Sequence, residues 1–215
     1  MAFLRENRFK IVLLALCSLL LSPVIVSLTQ IDIASIGLIN LTLVAFASFI
    51  TAIRKIPRLL ITLISTCSLL LVWAEYIIPD HEVLRLVRIF TLLALYVMLA
   101  YILIRNFLDA KDVNIQVIMG AMAGFIVLGF IGGSLFEIMQ YYHPNSINLN
   151  SSGGGFDLYY YSFISMTTVG YGDITPLTAS AKSLTVLLSL IGQFYMTIGI
   201  ALFVGKHLYS LNNSS

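Results

Sequence analysis

Apolar residues run along this chain in six long stretches separated by short polar breaks: Ile11 to Thr29, Ile33 to Ile53, Leu59 to Ile78, Leu84 to Ile104, Val113 to Tyr141 and Ser183 to Val204. Each approaches or exceeds the length that an α-helix needs to cross the hydrocarbon core of a bilayer, about 20 residues at 1.5 Å rise each. The third and fourth are less uniform, with Glu75 near the end of one and Arg85 and Arg88 near the start of the other. Between the fifth and sixth the pattern changes. A polar segment from His143 closes on Gly153-Gly154-Gly155, and Asp157 then opens a run of helical character that ends at Met166, too short to cross. Asp157 is placed to cap this short helix or to stand in its first turn, where a carboxylate meets the positive end of the dipole. The pattern predicts an all-α membrane protein with six transmembrane helices and one short re-entrant helix before the last of them.

Composition agrees. The chain is 59% hydrophobic and 10% charged, with mean hydropathy +0.97, against about 25% charged residues in soluble domains. Charge then gives an orientation. Arg5, Arg8 and Lys10 precede the first span, Arg54, Lys55 and Arg58 join the second to the third, Arg105 and Lys111 join the fourth to the fifth, and Lys206 follows the sixth. All fall on one side, so the positive-inside rule predicts a multi-pass protein of the cell (inner or plasma) membrane with both termini cytoplasmic. The other side carries Asp32, Asp80, Glu82, Glu137, Asp157 and Asp173, with Lys182 the one basic residue of its loops; an acidic outer surface raises the local cation concentration. The first span is not read as a cleaved signal, because its apolar run is too long and no small-residue cleavage site follows. Cys17 and Cys67 lie within spans, without metal-ligand spacing, and read as small packing residues. The net charge of +2 gives no sign of nucleic-acid binding.

The candidate chemistry follows the short helix, in Thr167-Thr168-Val169-Gly170-Tyr171-Gly172-Asp173-Ile174. Thr168 to Gly172 reads T-V-G-Y-G, the sequence of the potassium-channel selectivity filter, and the chain resembles the potassium channel family over Gly132 to Tyr209. Its first four spans resemble that family in number only. The residue types have reasons of their own. An ion stripped of water needs oxygens in place of its hydration shell, and a strand whose successive carbonyls all face one side must alternate between ordinary and left-handed backbone. Gly170 and Gly172, two apart, enter the left-handed region without steric cost. Val169 and Tyr171 are expected to turn their side chains away from the axis and pack behind the filter, and Thr168 to add its hydroxyl as the innermost ligand. The resemblance implies K+ bound by Thr168, Val169, Gly170 and Tyr171, a homotetramer because one chain supplies one strand of a fourfold ring, contact with membrane lipid, and no cofactor beyond the permeant K+.

The resemblance also implies roles for neighbouring residues. Thr167 and Asp173 flank and support the filter. Tyr160 and Tyr161 stand where relatives carry an aromatic cuff; the alternative is an interfacial aromatic belt, which Tyr141, Tyr142 and Tyr159 suit better. Ile164 departs from bacterial relatives that place there a glutamate paired with the aspartate after the filter, so Asp173 must find another partner. Glu137 matches a glutamate that ties the outer helix to backbone amides behind the filter, the alternative being an ordinary interfacial carboxylate. Gly192 falls at the family's hinge glycine, where bending and close helix packing are both open readings. In helical steps Gln193, Met196 or Thr197, Ile200, Val204 and Leu208 share one face, expected to line a cavity that narrows at Val204 and Leu208.

Six spans with the pore last look like the voltage-gated layout, and divide into a four-helix, degenerate voltage-sensor-like module (residues 1 to about 106) and a pore domain (about 107 to 215). A sensor needs arginines at every third position. Arg85 and Arg88 begin such a series, but Thr91, Ala94, Val97 and Ala100 continue it without charge. Each charge crossing the whole field is worth about 2.3 kcal/mol per 100 mV, and strong sensors move three to four per subunit. The expected function is therefore passive, potassium-selective flux with weak or no voltage gating, and no appended cytosolic regulatory module. Other classes compete poorly. A non-selective or regulatory channel-like subunit is the nearest alternative. A secondary cation transporter would show paired broken helices, and a re-entrant element is found only in the second half. An enzyme is not expected, since His81, His143 and His207 all lie at span ends.

Overall fold

The computed structural model describes residues 7–29, 33–51, 55–78, 81–110, 114–149 and 156–212, with the backbone alone for 33–35, 55–58 and 207–212. Arg5, Asp32, Arg54, Asp80, Lys111, Gly153 to Gly155 and the side chains of Lys55, Arg58, His207 and Leu208, to which the sequence assigned orientation, loop or cavity roles, lie outside the described residues. The elements are α1 (Arg8–Leu20), α2 (Ser22–Thr29), α3 (Ile33–Thr51), α4 (Lys55–Ile77), α5 (Glu82–Asp109), α6 (Ile115–Tyr142), β1 (Ile147–Asn148), α7 (Asp157–Met166), β2 (Thr175–Pro176) and α8 (Ala179–Asn212).

Among the described residues, α4, α5, α6 and α8 are long and apolar enough to cross a membrane, with a fifth span if α1 and α2 are one bent crossing. This differs from the six uniform spans that hydropathy predicts, and the reasons are local. The first apolar stretch is broken by a 58° bend between α1 and α2. Pro23 has no N–H to give, and its ring collides with the carbonyl four residues back, that of Leu19. The Ser22 hydroxyl satisfies that carbonyl at 2.7 Å instead. In the second stretch the helix runs Ile33–Thr51, 19 residues and about 28 Å at 1.5 Å per residue.

The chain forms two compact units, and the division falls inside α6, later than the sequence boundary near residue 106. In the first unit α1 packs on α3, α3 on α4 and α4 on α5. Its core is aliphatic, with Val12, Leu16, Val44, Ile61, Ile89, Leu95, Leu99 and Leu103 almost completely buried. The buried positions of α5, Ile89, Leu92, Leu95, Tyr96, Leu99, Ala100, Ile102 and Leu103, recur with the helical period, so one stripe faces inward. The early part of α6 belongs to this unit because the Phe9 ring lies against Gly120, where a methyl would sit 3.2 Å from it.

The second unit runs from Leu128 through the rest of α6, β1, α7, β2 and α8. Sequence periodicity did not reveal its small antiparallel ribbon, in which Ile147 pairs with Pro176 and Asn148 with Thr175. Ribbons of two residues carry no detectable alternation. This one is placed by other contacts: Gln140 Oε1 accepts the Ser146 hydroxyl at 3.0 Å and the Ile147 N–H at 3.2 Å, and Leu177 N–H donates to Ser146 O at 2.8 Å. Asn145, at φ 64°, makes the preceding turn in the left-handed region that asparagine tolerates.

Candidate functional site: the short helix and the segment after it

The segment Thr167 to Ile174 is positioned by α7, and α7 is seated on α6 by absent side chains. Gly129, Gly132, Gly133 and Phe136 follow one another at i, i+3, i+4 and i+7, which is one face of a helix. A methyl group at Gly129 would overlap the Phe163 ring, at Gly133 the Tyr159 ring, and at Gly132 the Ser162 hydroxyl and Leu188. Rings of α7 therefore drop into slots that only glycine leaves open. Phe163 meets Phe130 edge-on at 5.5 Å between centroids, and Tyr161 meets Phe136 at 4.9 Å. The fully buried Ser162 donates its hydroxyl to Gly129 O at 2.7 Å. Such a bond is worth about 0.5–1.5 kcal/mol net, but leaving the buried group unpaired costs about 1–3 kcal/mol.

On the other flank α8 presents Ala181, Thr185, Leu188, Ser189 and Gly192, again at helical spacing. The Tyr161 and Thr185 hydroxyls are 2.7 Å apart, and the Ser189 hydroxyl donates to Ser165 O at 3.0 Å. Gly192 is buried, and a methyl there would overlap the Met166 side chain and stand 2.6 Å from Met166 O. Of the two readings of Gly192, the structure displays close packing: α8 comes against the end of α7 at this residue and runs through it as one helix.

At the end of α7 the chain turns back on its last carbonyls. Phe163 O accepts from Thr167 N–H at 2.9 Å and from the Thr167 hydroxyl at 2.7 Å, Ser165 O accepts from Thr168 N–H at 3.1 Å, and Ile164 O accepts from Gly170 N–H at 3.1 Å. Beyond this point φ is positive at Thr168 (60°), Gly170 (53°) and Gly172 (79°), while Val169 and Tyr171 keep ordinary negative φ. The two glycines were expected in the left-handed region, and Thr168 joins them. For a β-branched residue that conformation is strained. A backbone alternating in this way turns successive carbonyls toward one side, a row of oxygens suited to a cation.

Val169 and Tyr171 do not pack behind this row within one chain; they are 52% and 74% exposed. Any cover must come from outside the chain's described residues. Asp173 has the partner that Ile164 denies it: the Tyr160 hydroxyl donates to Asp173 Oδ2 at 2.8 Å. That hydrogen bond holds the Tyr160 phenol above its ordinary pKa, so Tyr160 is a proton donor through the neutral range. The aromatic pair thus divides its work, with Tyr160 on the Asp173 carboxylate and Tyr161 buried between α6 and α8.

Glu137 accepts the Tyr159 hydroxyl at 3.0 Å. One turn later Gln140 Oε1 accepts the Ile147 N–H, which ties this helix to the ribbon. Tyr159, assigned from sequence to an interfacial belt, lies half-buried on Gly133 with Phe130 at 5.8 Å. Gln140, Ser162, Thr185 and Ser189 were not singled out from sequence. The available signal was the spacing of Gly129, Gly132 and Gly133 upstream of a tyrosine run. Gln193, Met196, Thr197, Ile200 and Val204 are all exposed in the single chain. So are Val186, Leu190, Phe194 and Ile198, each near half or more.

In the first unit, Arg88 ion-pairs with Glu75, and Arg85 Nε lies 3.9 Å from the same carboxylate. Among the described residues no cluster of His, Cys, Asp or Glu is arranged to hold a metal ion.

Residues 124–206 match the protein-family model described as ion channel. No curated protein and no solved structure gives a significant match. The matched segment holds most of α6, all of α7, the alternating segment and most of α8. Over this segment the chain is similar to ion channels, and its long apolar helices fit a membrane-embedded protein.

Proposed function

We propose that this chain is one of four identical subunits of a potassium-selective channel, which passes K+ passively with little or no gating by voltage. The observation that carries the reading is the alternation of φ along T-V-G-Y-G, positive at Thr168, Gly170 and Gly172. Glycine enters the left-handed region freely, but threonine pays about 1–2 kcal/mol. A strain repeated in step with the glycines is accounted for by a row of carbonyls that replaces the water of a bare cation. The carbonyls of Thr168, Val169, Gly170 and Tyr171 would hold K+, with the end of α7 lending the negative pole of its dipole.

Four chains are inferred because one row cannot surround an ion. The exposure of Val169, Tyr171, Phe194 and Ile198 supports this, since apolar surface beside a polar pathway calls for protein cover. Weak voltage dependence follows from Arg85 and Arg88 sharing the Glu75 carboxylate, which leaves little charge to move through the field. The orientation proposed places both termini in the cytoplasm of a cell membrane.

Purified protein in liposomes tests the proposal. A potassium gradient should drive flux without any coupled ion, a sodium gradient should not, and native mass measurement should give a tetramer. Equal potassium and sodium permeability, or a conducting dimer, would overturn it.

A further inference from the structure

Tyr159 is the least expected contact of the second unit. Its ring lies on Gly133, beside Phe130, and its hydroxyl reaches Glu137 Oε2 at 3.0 Å and stands 3.5 Å from Ser134 Oγ. Phe130, Gly133, Ser134 and Glu137 are spaced i, i+3, i+4 and i+7, so four successive positions on one stripe of α6 address a single side chain of α7. A phenylalanine would fill the same slot. What tyrosine adds is one donor, aimed at a carboxylate on a membrane helix, where an ionised group is costly unless it is matched.

We propose that Tyr159 is a positioning residue for conduction, its bond to Glu137 fixing the rotation of α7 on α6 and thereby the register of the filter; this rests on the reading of Thr168 to Gly172 as an ion filter. A short helix keeps its rotation only while its contacts on both sides agree, and on the α8 side Ser165 O accepts the Ser189 hydroxyl. Ser162, bonded to Gly129 O, is the nearest hydrogen bond from α7 to α6 and acts as the fulcrum. Tyr159 lies almost one turn before it, and Ile164 and Ser165, whose carbonyls hold Gly170 N–H and Thr168 N–H, lie just after it. Without the Tyr159 hydroxyl bond the ring stays on Gly133, but α7 can rock about Ser162 and Ser165, and the carbonyls that hold Thr168 and Gly170 N–H shift with it. A hydrogen bond to an ionised acceptor biases the ordered over the displaced filter by roughly tenfold or more.

The test uses the full-length protein in liposomes, with Tyr159→Phe, Glu137→Leu, Glu137→Gln and the double variant Y159F/E137L, each checked by native mass measurement to be assembled like the wild type. Y159F and E137L should each lower the conducting fraction by roughly tenfold, and the double variant should be no worse than the poorer single. E137Q, whose amide oxygen still accepts, should keep most conduction. Raising K+ should restore Y159F, because the ion binds the ordered filter and draws the equilibrium back by mass action; a simple folding defect gives no such rescue. Y159F conducting like the wild type, losses that add in the double variant, or loss in Y159F without rescue by K+ would each overturn the proposal. A wild type that does not select potassium would instead overturn the underlying reading.

Discussion

Replacing Gly192 by alanine separates the two roles that sequence leaves open for this residue. Were Gly192 a hinge alone, the added methyl would favour the straight helix by about 0.5–1 kcal/mol and change opening without loosening the fold. The structure gives a different expectation. The methyl carbon would stand 2.6 Å from Met166 O and overlap the Met166 side chain, and Met166 is fully buried. A carbon–oxygen contact settles at roughly 3.3 Å or more, so α8 and the end of α7 must part by about 0.7 Å. Overpacking of this kind costs about 1–3 kcal/mol, and subtracting the gain in helix propensity leaves about 1–2 kcal/mol per chain. The carbonyl end of α7, which anchors Thr168 and Gly170, is what gives way. The assay pairs thermal unfolding of the assembled protein with potassium flux in liposomes, both expected to fall in G192A. Adding Met166→Ala should relieve only part of the loss, since the clash with the backbone oxygen remains. A G192A protein as stable as the wild type or more so, with altered opening only, would refute the packing argument.

Gly170→Ala should abolish conduction or selectivity in the same flux assay: the site has φ 53° and open space around it, so the penalty is conformational and not steric crowding. Tyr160→Phe removes the donor to Asp173 and should hasten the decay of current under a sustained gradient, as recorded from single channels. The raised phenol pKa gives this contact a pH window: its contribution is fully present below about pH 10 and lost as pH rises through the raised value, so alkaline wild type should come to resemble Y160F while Y160F itself changes little. Neutralising Arg85 and Arg88 together should leave the slope of the conductance–voltage curve almost unchanged, and a steep native curve that flattens in that variant would show a working sensor.

What could be read from sequence follows from the range of the forces involved. Apolar runs and basic loops report on the bilayer, which acts on every residue alike, so long helices were legible at α4, α5, α6 and α8. The break after Leu20 was not foreseen, although Pro23 marks it, because hydropathy averages over a window that a single missing N–H does not change. The left-handed backbone at Gly170 and Gly172 was legible because glycine announces such demands. Thr168 at positive φ was hidden, since its side chain gives no hint of strain. Side-chain partners were the least legible. Asp173 needed a donor and Tyr160 was already a candidate, yet three adjacent tyrosines look alike in sequence. Only the glycine slots decide that Tyr159 turns to α6, and only packing sends Tyr161 toward Thr185 while Tyr160 meets Asp173.

The way α7 is gripped has a consequence for how the protein is made. Ser162 finds Gly129 across 33 residues of chain, and Tyr161 and Ser165 find Thr185 and Ser189 across 24. These clasps close loops of moderate length within one unit, and the entropy lost in closing a loop grows only slowly with its length. During synthesis the slots of α6 emerge first, the rings of α7 reach them next, and α8 closes the seat last. The seat of the T-V-G-Y-G segment is therefore built by each chain from its own residues.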